Sequence, residues 1–325
     1  MADRVIVVGV RRGGSLIRAS ELQQMTGRAG RRHGGEATVE LIVDEKDAAL
    51  VEDMLSEDAV DVQSTFSDPD MVATALMPEI DRGTVTDAVS AKAWCARSMC
   101  AEPAVEQAIE LLCETEAVIA ENGSLRSSAV GTCAARYYFH PADVAAWKNN
   151  FSCLFELGLE DDEAATAWAL GNVPFDRIVG DVSRQKECVA DCRHRIPIGL
   201  ETMSGSLLNV FSWWSLMGGP PAGSIRPACI ERRKQFGRYK AALRGLNDAY
   251  RWDSEDFLDE VELRVRKNIG PHLVPLCRFS GITKTKAEFL YDLGVRDITG
   301  FERVLNAVDD PELCESMQKA LSSVS

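Results

Sequence analysis

The sequence lacks several features that would place it in a specialised class of protein. Among its 325 residues, no uninterrupted apolar stretch reaches the roughly 18 residues of a membrane-spanning helix. The N-terminal segment MADRVIVVGVRRGG also lacks the long apolar run and the residue order of a secretory signal. With 24 glycines and 12 prolines, the composition is neither collagen-like nor that of a disordered chain. We therefore expect a folded protein that stays in the cytoplasm.

Cysteine patterns point to no special chemistry. The ten cysteines are spread from Cys95 to Cys314 through apolar segments, which favours buried thiols over a disulfide framework. Cys188 and Cys192 have the spacing of a helical ligand pair and His194 lies nearby, but no convincing third and fourth ligands follow. The sequence therefore predicts no metal site.

Charge is unevenly distributed along the chain. The net charge is -14, and residues 44–82 contain twelve acids against two bases. Residues 226–251 have the opposite balance, with eight bases against two acids. Because a polyanion responds to the local field more than to the total charge, the basic segment keeps nucleic acid among the expected partners.

Hydrophobic patterning predicts a small mixed unit at the N-terminus. Residues 4–8 form a β-branched run typical of a buried strand, and Gly13-Gly14 indicates a hairpin turn. Ser20 is suited to cap a helix that runs through Arg28, and residues 37–43 alternate like a further strand. A charged helix is expected to follow.

Beyond Pro69, nearly every segment has helical spacing. Residues 103–123 are predicted as one helix that ends at Gly123, before a short polar segment. Three helices followed by a short polar hairpin are typical of a winged-helix module. A plain three-helix bundle has the same periodicity. Later breaks fall at residues 218–221, Gly281 and Gly294.

The most specific string is QMTGRAGR at residues 24–31. It resembles motif six of superfamily-two helicases of the Ski-like branch, which lies in their second RecA-like lobe. The resemblance implies that Arg31 is an arginine finger, that Arg28 contacts the γ-phosphate, and that Gln24 and Gly27 lie beside the nucleotide. Guanidinium groups suit this role because they stay ionised and stabilise charge on a transferring phosphoryl group. The alternative is a basic helix end followed by an Arg-rich loop.

The order of the remaining segments resembles the C-terminal half of archaeal DNA-repair helicases of this branch. The resemblance implies a mainly α protein with a small α/β stub at its N-terminus. The expected domains are a partial second RecA-like lobe (1–50), a linker and winged helix (51–138), a helical ratchet domain (139–269) and a helix-hairpin-helix domain (270–325).

The phosphate loop of such motors, G-x-x-x-x-G-K-[ST], does not occur in the sequence. Asp44-Glu45-Lys46-Asp47 spells a D-E-x-D magnesium motif, but it follows motif six instead of preceding it, and we interpret it as a solvated helix start. We therefore expect ATP and Mg²⁺ to be bound only through a partner motor chain, which would also complete the N-terminal sheet.

Several basic residues are predicted to contact nucleic acid. At 100 degrees per residue, five cations of segment 226–251 share one face beside an apolar stripe, which resembles a ratchet helix. An ordinary solvated face is the alternative. The expected contacts in this helix are Arg226, Arg233, Lys240, Arg244 and Arg251.

The C-terminal segment and the N-terminal hairpin add further candidates. Gly281-Ile282 matches the hairpin of a helix-hairpin-helix motif, although Thr283 replaces its second glycine. The predicted phosphate contacts there are Arg278, Lys284 and Lys286, and Arg11 and Arg12 occupy the place of a strand-separating hairpin or a plain connection.

Three functions remain open at this stage. The first is the C-terminal subunit of a split ATP-dependent DNA helicase, which supplies arginine fingers and single-strand contacts to a motor chain. The second is a non-catalytic nucleic-acid-binding or regulatory protein derived from such a helicase. The third is an acidic scaffold without a nucleic-acid role.

Overall fold

The computed structural model divides the chain into two compact units, Met1–Ser64 and Thr65–Ser325. The chain is mainly helical, with a small two-stranded parallel sheet near the N-terminus, which confirms the predicted fold class at this level. The structure describes residues 4–12, 15–27, 38–56, 64–98, 100–178, 186–305 and 308–324.

The N-terminal unit contains the predicted strands, hairpin and helices. Helix α1 begins at Ala19 with Arg18 as its cap, so the predicted cap at Ser20 is wrong; the Arg18 backbone N–H donates to the Glu21 carboxylate at 3.1 Å. The elements are β1 (Arg4–Val8), β2 (Arg11–Arg12), β3 (Ser15–Leu16), α1 (Ala19–Thr26), β4 (Thr38–Ile42) and α2 (Glu45–Ser56).

Strands β1 and β4 form a parallel pair, and β2 and β3 form an antiparallel hairpin. Val7 on β1 is buried in a cluster that also includes Leu22 of α1. Along the same two strands Ile6, Val8 and Ile42 are exposed. Since parallel sheets are normally covered on both faces, this pair has the surface of an incomplete sheet.

The second unit opens with three helices and a β-hairpin. Residues 115–121 do not continue the preceding helix, so the prediction of one helix over 103–123 is wrong in its second half. Asn122 and Gly123 both adopt positive φ, as a tight hairpin turn requires, and the segment before them forms a strand. These elements are α3 (Pro69–Asp81), α4 (Ala88–Cys95), α5 (Val105–Glu114), β5 (Val118–Glu121), β6 (Ser124–Ser127) and α6 (Ala129–Tyr137).

A further short segment lies against this hairpin. The Leu125 N–H donates to the Thr86 carbonyl at 2.7 Å, and Asp87 forms an isolated bridge with Ser124. The order along the chain is therefore helix, extended segment, two helices and hairpin.

The middle of the unit is a helical bundle with an aromatic core. Phe139 lies 4.7 Å from Trp147 and 4.9 Å from Tyr239 between ring centroids. Trp213 and Trp214 are buried, as predicted for core residues. The helices are α7 (Pro141–Glu156), α8 (Glu163–Gly171), α9 (Lys186–Arg195), α10 (Leu207–Leu216), α11 (Arg226–Tyr250) and α12 (Glu255–Lys267).

One hydrophobic cluster extends from Val72 to Val265, so the predicted boundary between residues 138 and 139 runs through a shared core. A second cluster begins at Ile269 and extends to Ala320, within the predicted helix-hairpin-helix segment. Its helices are α13 (Val274–Cys277), α14 (Lys284–Asp292), α15 (Phe301–Val304) and α16 (Pro311–Val324).

None of the described helices is long and apolar enough to span a bilayer. All ten cysteines are free thiols, and five of them are buried. Within the described ranges, no group of three or more His, Cys, Asp or Glu side chains has the arrangement of a metal site.

Candidate nucleic-acid interface

Helix α11 is the element that positions the predicted basic residues. It begins after a short 3-10 turn (Gly223–Ile225), has a proline in its first turn, and ends at Arg251 in the left-handed conformation. The predicted apolar stripe is buried, except that Tyr250 is 36 % exposed. Its buried members are Cys229, Phe236, Tyr239, Leu243 and Leu246.

The N-terminal half of α11 borders a cleft of about 520 Å³ that contains three of the predicted phosphate contacts. Arg226 and Arg233 lie on its α11 side, and Lys284, from the first turn of α14, lines it as well. These three residues, with the backbone and side chains around them, form what we call the basic cleft. Its other lining residues are Ser215, Leu216, Gly219, Pro221, Ala222, Gly223, Cys229, Ile230 and Asn268.

The basic cleft has no acidic lining residue in the described part of the chain. Arg226 and Arg233 form no ion pair among the described residues, and the buried Nε atom of Arg233 has no hydrogen-bond partner there. The ion pair of Lys284 is a long one, 3.8 Å to Glu288 on the same helix. The positive charge of the cleft is therefore largely uncompensated.

The helix backbone adds to this field. Gly223 and Ala222, which lead into α11, line the cleft, and the side chain of the Ile225 cap accepts no hydrogen bond from the N–H groups of the first turn. The first N–H groups of a helix carry a partial positive charge that favours anions. No acid occupies the first turn of α11. Backbone and side chains thus favour the same kind of ligand.

The C-terminal half of α11 is different, because α12 places acids against it. Lys240 is buried and forms ion pairs with Asp259, at 2.6 Å, and with Glu262. Burial opposes the charge of Lys240, but the hydrogen bonds to these carboxylates outweigh it and raise the pKa of Lys240. The ammonium group stays charged and is already neutralised inside the protein.

Arg244 is engaged in the same network. Its guanidinium donates to Glu255 and to Asp259, each at 2.9 Å. Together with Lys240 it lines a groove of about 480 Å³ in which cations and carboxylates alternate. Lys240 and Arg244, predicted as part of one phosphate-binding row, are therefore already paired with carboxylates. Helical angles fix which residues share a face, but they do not reveal which neighbouring helix covers it.

The other predicted contacts of the second unit are dispersed. Arg251 is exposed at the end of α11, away from the lining of either groove. Arg278 lies 3.5 Å from Glu260 and lines the same groove as Lys240 and Arg244. Lys286 lies 3.4 Å from Glu312. Among the described residues, Lys284 is the only C-terminal candidate that lines the same cleft as Arg226 and Arg233.

The C-terminal hairpin has the expected local geometry. Gly281 has φ +84°, and Ile282 is buried. Thr283 is the cap of α14, where its hydroxyl accepts the Lys286 backbone N–H. This role explains why a threonine stands where the resemblance predicts a second glycine. Lys267 stabilises the turn, because its ammonium donates to the Cys277 carbonyl at 2.7 Å and to the Ile282 carbonyl at 2.8 Å.

The N-terminal candidates are only partly described. Gln24 is exposed on α1, and Gly27 caps the end of that helix. Arg28 and Arg31 lie outside the described residues, as does the side chain of Arg12.

Arg11 is held by a carboxylate within its own unit. It donates to both oxygens of Asp47, at 2.8 and 2.6 Å. Asp47 is 2 % exposed, so only part of the D-E-x-D segment is solvated as predicted. The hydrogen bond from Arg11 lowers the pKa of Asp47, and the same bond raises the pKa of Arg11. Arg11 therefore has a structural partner, which its position in the hairpin did not predict.

No protein-family model matches this sequence, and no curated protein matches it significantly. The sequence singled out the three cations of the basic cleft, but it did not show that they line one cleft, because Lys284 is 51 positions after Arg233 in the chain. It predicted a break at residues 218–221 but did not show that this loop and Asn268 line the cleft.

Proposed function

We propose that this chain is a nucleic-acid-binding subunit that holds a single strand at the basic cleft and works with a separate ATP-dependent motor chain. The observation that carries the proposal is the convergence of Arg226, Arg233 and Lys284 on one cleft without an acidic lining residue among those described. Phosphate groups are the ligands that such a set of cations and a helix N-terminus favour.

The apolar part of the cleft favours a single strand over a duplex. Pro221 and Ile230 provide apolar surface beside the cations, and Ile230 is 42 % exposed. An unpaired base offers a flat apolar face to such a wall, whereas the bases of a duplex are stacked on each other. The strand therefore places its phosphates on the cations and a base against the apolar side.

The fold of the second unit supports a helicase-like assignment. Its order of α3, the Asp87 bridge, α4, α5 and the β5–β6 hairpin is the order of elements in a winged helix. The turn around Gly281 supports a helix-hairpin-helix function in the last segment. In this proposal both modules guide the strand toward the basic cleft.

The N-terminal unit supports the motor partner. Parallel β1 and β4 with α1 between them have the topology of a RecA-like fragment, and the exposed Ile6, Val8 and Ile42 provide an apolar surface that a neighbouring α/β lobe would cover. The partner binds ATP and Mg²⁺, and Arg28 and Arg31 of this chain contact the nucleotide.

Strand binding is tested by fluorescence anisotropy of a labelled oligonucleotide of about 20 nucleotides at several salt concentrations. The three phosphate contacts of the basic cleft should contribute about -2 to the slope of log K against log salt. The triple variant Arg226→Ala, Arg233→Ala, Lys284→Ala should lose most of this slope and bind on the order of 100-fold more weakly.

The matched control is the double variant Arg244→Ala, Arg278→Ala, which removes cations that carboxylates already neutralise. It should keep the wild-type slope. Equal loss in both variants would show that total charge, and not the cleft, governs binding. Salt-independent or absent binding by the wild-type chain would favour the acidic scaffold.

A further inference from the structure

A second surface of the same unit exposes the aromatic ring of Tyr138. Tyr138 follows α6 with φ 56° and ψ 43°, the left-handed region that glycine and asparagine prefer. Its side chain is 78 % exposed. It forms no aromatic, cation–π or side-chain hydrogen-bond contact among the described residues. A large ring therefore occupies an unfavourable backbone position and gains no packing from it.

Two arginines without ion-pair partners accompany this ring. The Arg238 guanidinium of α11 lies 4.2 Å from the centroid of Phe139, the residue next to Tyr138. Arg136 is exposed in the last turn of α6, two residues before Tyr138. Neither arginine forms an ion pair or a side-chain hydrogen bond within the described ranges. We call Arg136, Tyr138 and Arg238 the tyrosine platform.

The position of Arg238 is fixed by packing and not by charge. Phe139 is buried against Trp147 and Tyr239, so the ring beneath the guanidinium is immobile. Stacking on a ring leaves the N–H groups of an arginine free at its edge, where they bind phosphate oxygens in pairs. Arg238 is thus oriented before any ligand arrives.

We propose that the tyrosine platform is a second contact for single-stranded nucleic acid, in which Tyr138 stacks on an unpaired base and Arg136 and Arg238 bind the adjoining phosphates. This proposal rests on the proposed function and extends it from the basic cleft to a separate surface. Exposed aromatic rings beside unpaired cations are the common means by which proteins hold single strands without sequence preference.

Helix α11 relates the two contacts. Arg233 in the basic cleft and Arg238 in the platform are five residues apart, about 7.5 Å along the helix axis, and about 140 degrees apart around it. A strand that reaches both must cross the exposed side of α11. An oligonucleotide too short to make this crossing should bind the cleft alone.

The decisive variant is Tyr138→Gly, because it separates binding from folding. Glycine accepts the left-handed conformation, so the melting temperature should rise, while affinity for the oligonucleotide of about 20 nucleotides should fall about tenfold through loss of stacking. The salt dependence should stay unchanged, since no charge is removed. Tyr138→Trp should restore the affinity, and Arg238→Ala should reduce the salt slope by about 0.7.

A matched control is Asp253→Gly, which replaces another exposed residue with positive φ (55°) and removes no aromatic ring. It should not weaken binding. A 5-iodouracil-substituted oligonucleotide should in addition form a photochemical crosslink to the peptide that contains Tyr138, identified by mass spectrometry.

The outcomes distinguish this proposal from the function on which it rests. If Tyr138→Gly binds as tightly as the wild type while the cleft triple variant is impaired, the platform proposal is wrong and the proposed function stands. If Tyr138→Gly lowers the melting temperature and leaves affinity unchanged, the ring has a structural role. If the wild-type chain binds no oligonucleotide, both proposals fail.

Discussion

The buried carboxylate of Asp143 gives the second unit a pH-dependent stability that can be measured directly. Asp143 lies in the first turn of α7 and is 2 % exposed. Its two oxygens accept the backbone N–H groups of Phe175 and Asp176, at 2.8 and 2.9 Å. Asp176 in turn accepts the hydroxyl of Tyr239 at 2.8 Å and pairs with Arg232 at 3.3 Å, so this carboxylate supports the loop that anchors α11.

The direction of the effect follows from the shifted pKa. Burial raises the pKa of Asp143 from 3.8 to about 7, and the two backbone hydrogen bonds reduce this shift without cancelling it. Between these values the folded chain binds one more proton than the unfolded chain. The free energy of unfolding therefore rises as the pH falls from 8 to 5, by on the order of 3 kcal/mol from this group.

The perturbation is Asp143→Asn, which removes the titration. The amide nitrogen will face one of the two N–H donors, and this costs about 1 kcal/mol at every pH. The difference in unfolding free energy between wild type and variant should therefore change by on the order of 3 kcal/mol between pH 8 and pH 5, on top of a constant offset.

Urea titrations followed by tryptophan fluorescence measure this difference, because all six tryptophans lie in Thr65–Ser325. Asp297→Asn is the control. The hydrogen bond from Thr299 lowers the pKa of Asp297, so its contribution is lost only as the pH falls below the ordinary aspartate range, and the difference should be flat between pH 5 and pH 8. A flat difference for Asp143→Asn as well would refute the assignment of a protonatable buried carboxylate.

Two further predictions concern packing and the motor partner. Gly171→Ala should destabilise the second unit by on the order of 3 kcal/mol in the same urea assay, because the added Cβ would lie 2.6 Å from the Val210 Cα. At Gly237 an added Cβ meets no atom within 4 Å, so Gly237→Ala should stabilise α11 by about 1 kcal/mol. The double variant Arg28→Ala, Arg31→Ala should reduce partner-dependent ATP hydrolysis by about 10³-fold or more and leave strand affinity unchanged; unaltered hydrolysis would favour the non-catalytic alternative.

Much of the local structure was predictable because it depends on neighbouring residues. The β-branched run of β1, the helical spacing of α11 and the turn at Gly281 each encode their conformation within a few residues. The hairpin of β5 and β6 begins earlier than predicted, since the apolar spacing of α5 continues into Val118 and conceals the change from a helical to a strand period. The Asn122-Gly123 turn was the available signal, and it was interpreted only as a helix end.

The candidate site was predictable only in its residue types. The sequence singled out Arg226, Arg233 and Lys284 as basic residues in segments with nucleic-acid character. It gave no means to separate them from Lys240 and Arg244, which have the same spacing and the same helix face. The difference arises from the acidic face of α12, and its placement depends on the packing of the whole bundle.

The amino-acid sequence by itself determined most of the segments that become helix or strand, and where positive charge is concentrated, because both properties act over a few residues. The tertiary structure alone decided which cations keep a free charge. Whether a guanidinium meets a carboxylate, a buried ring or an open cleft depends on contacts between residues far apart in the chain. Electrostatic attraction depends on the distance between two charges, so a carboxylate 3 to 4 Å away neutralises a cation wherever the two residues stand in the sequence.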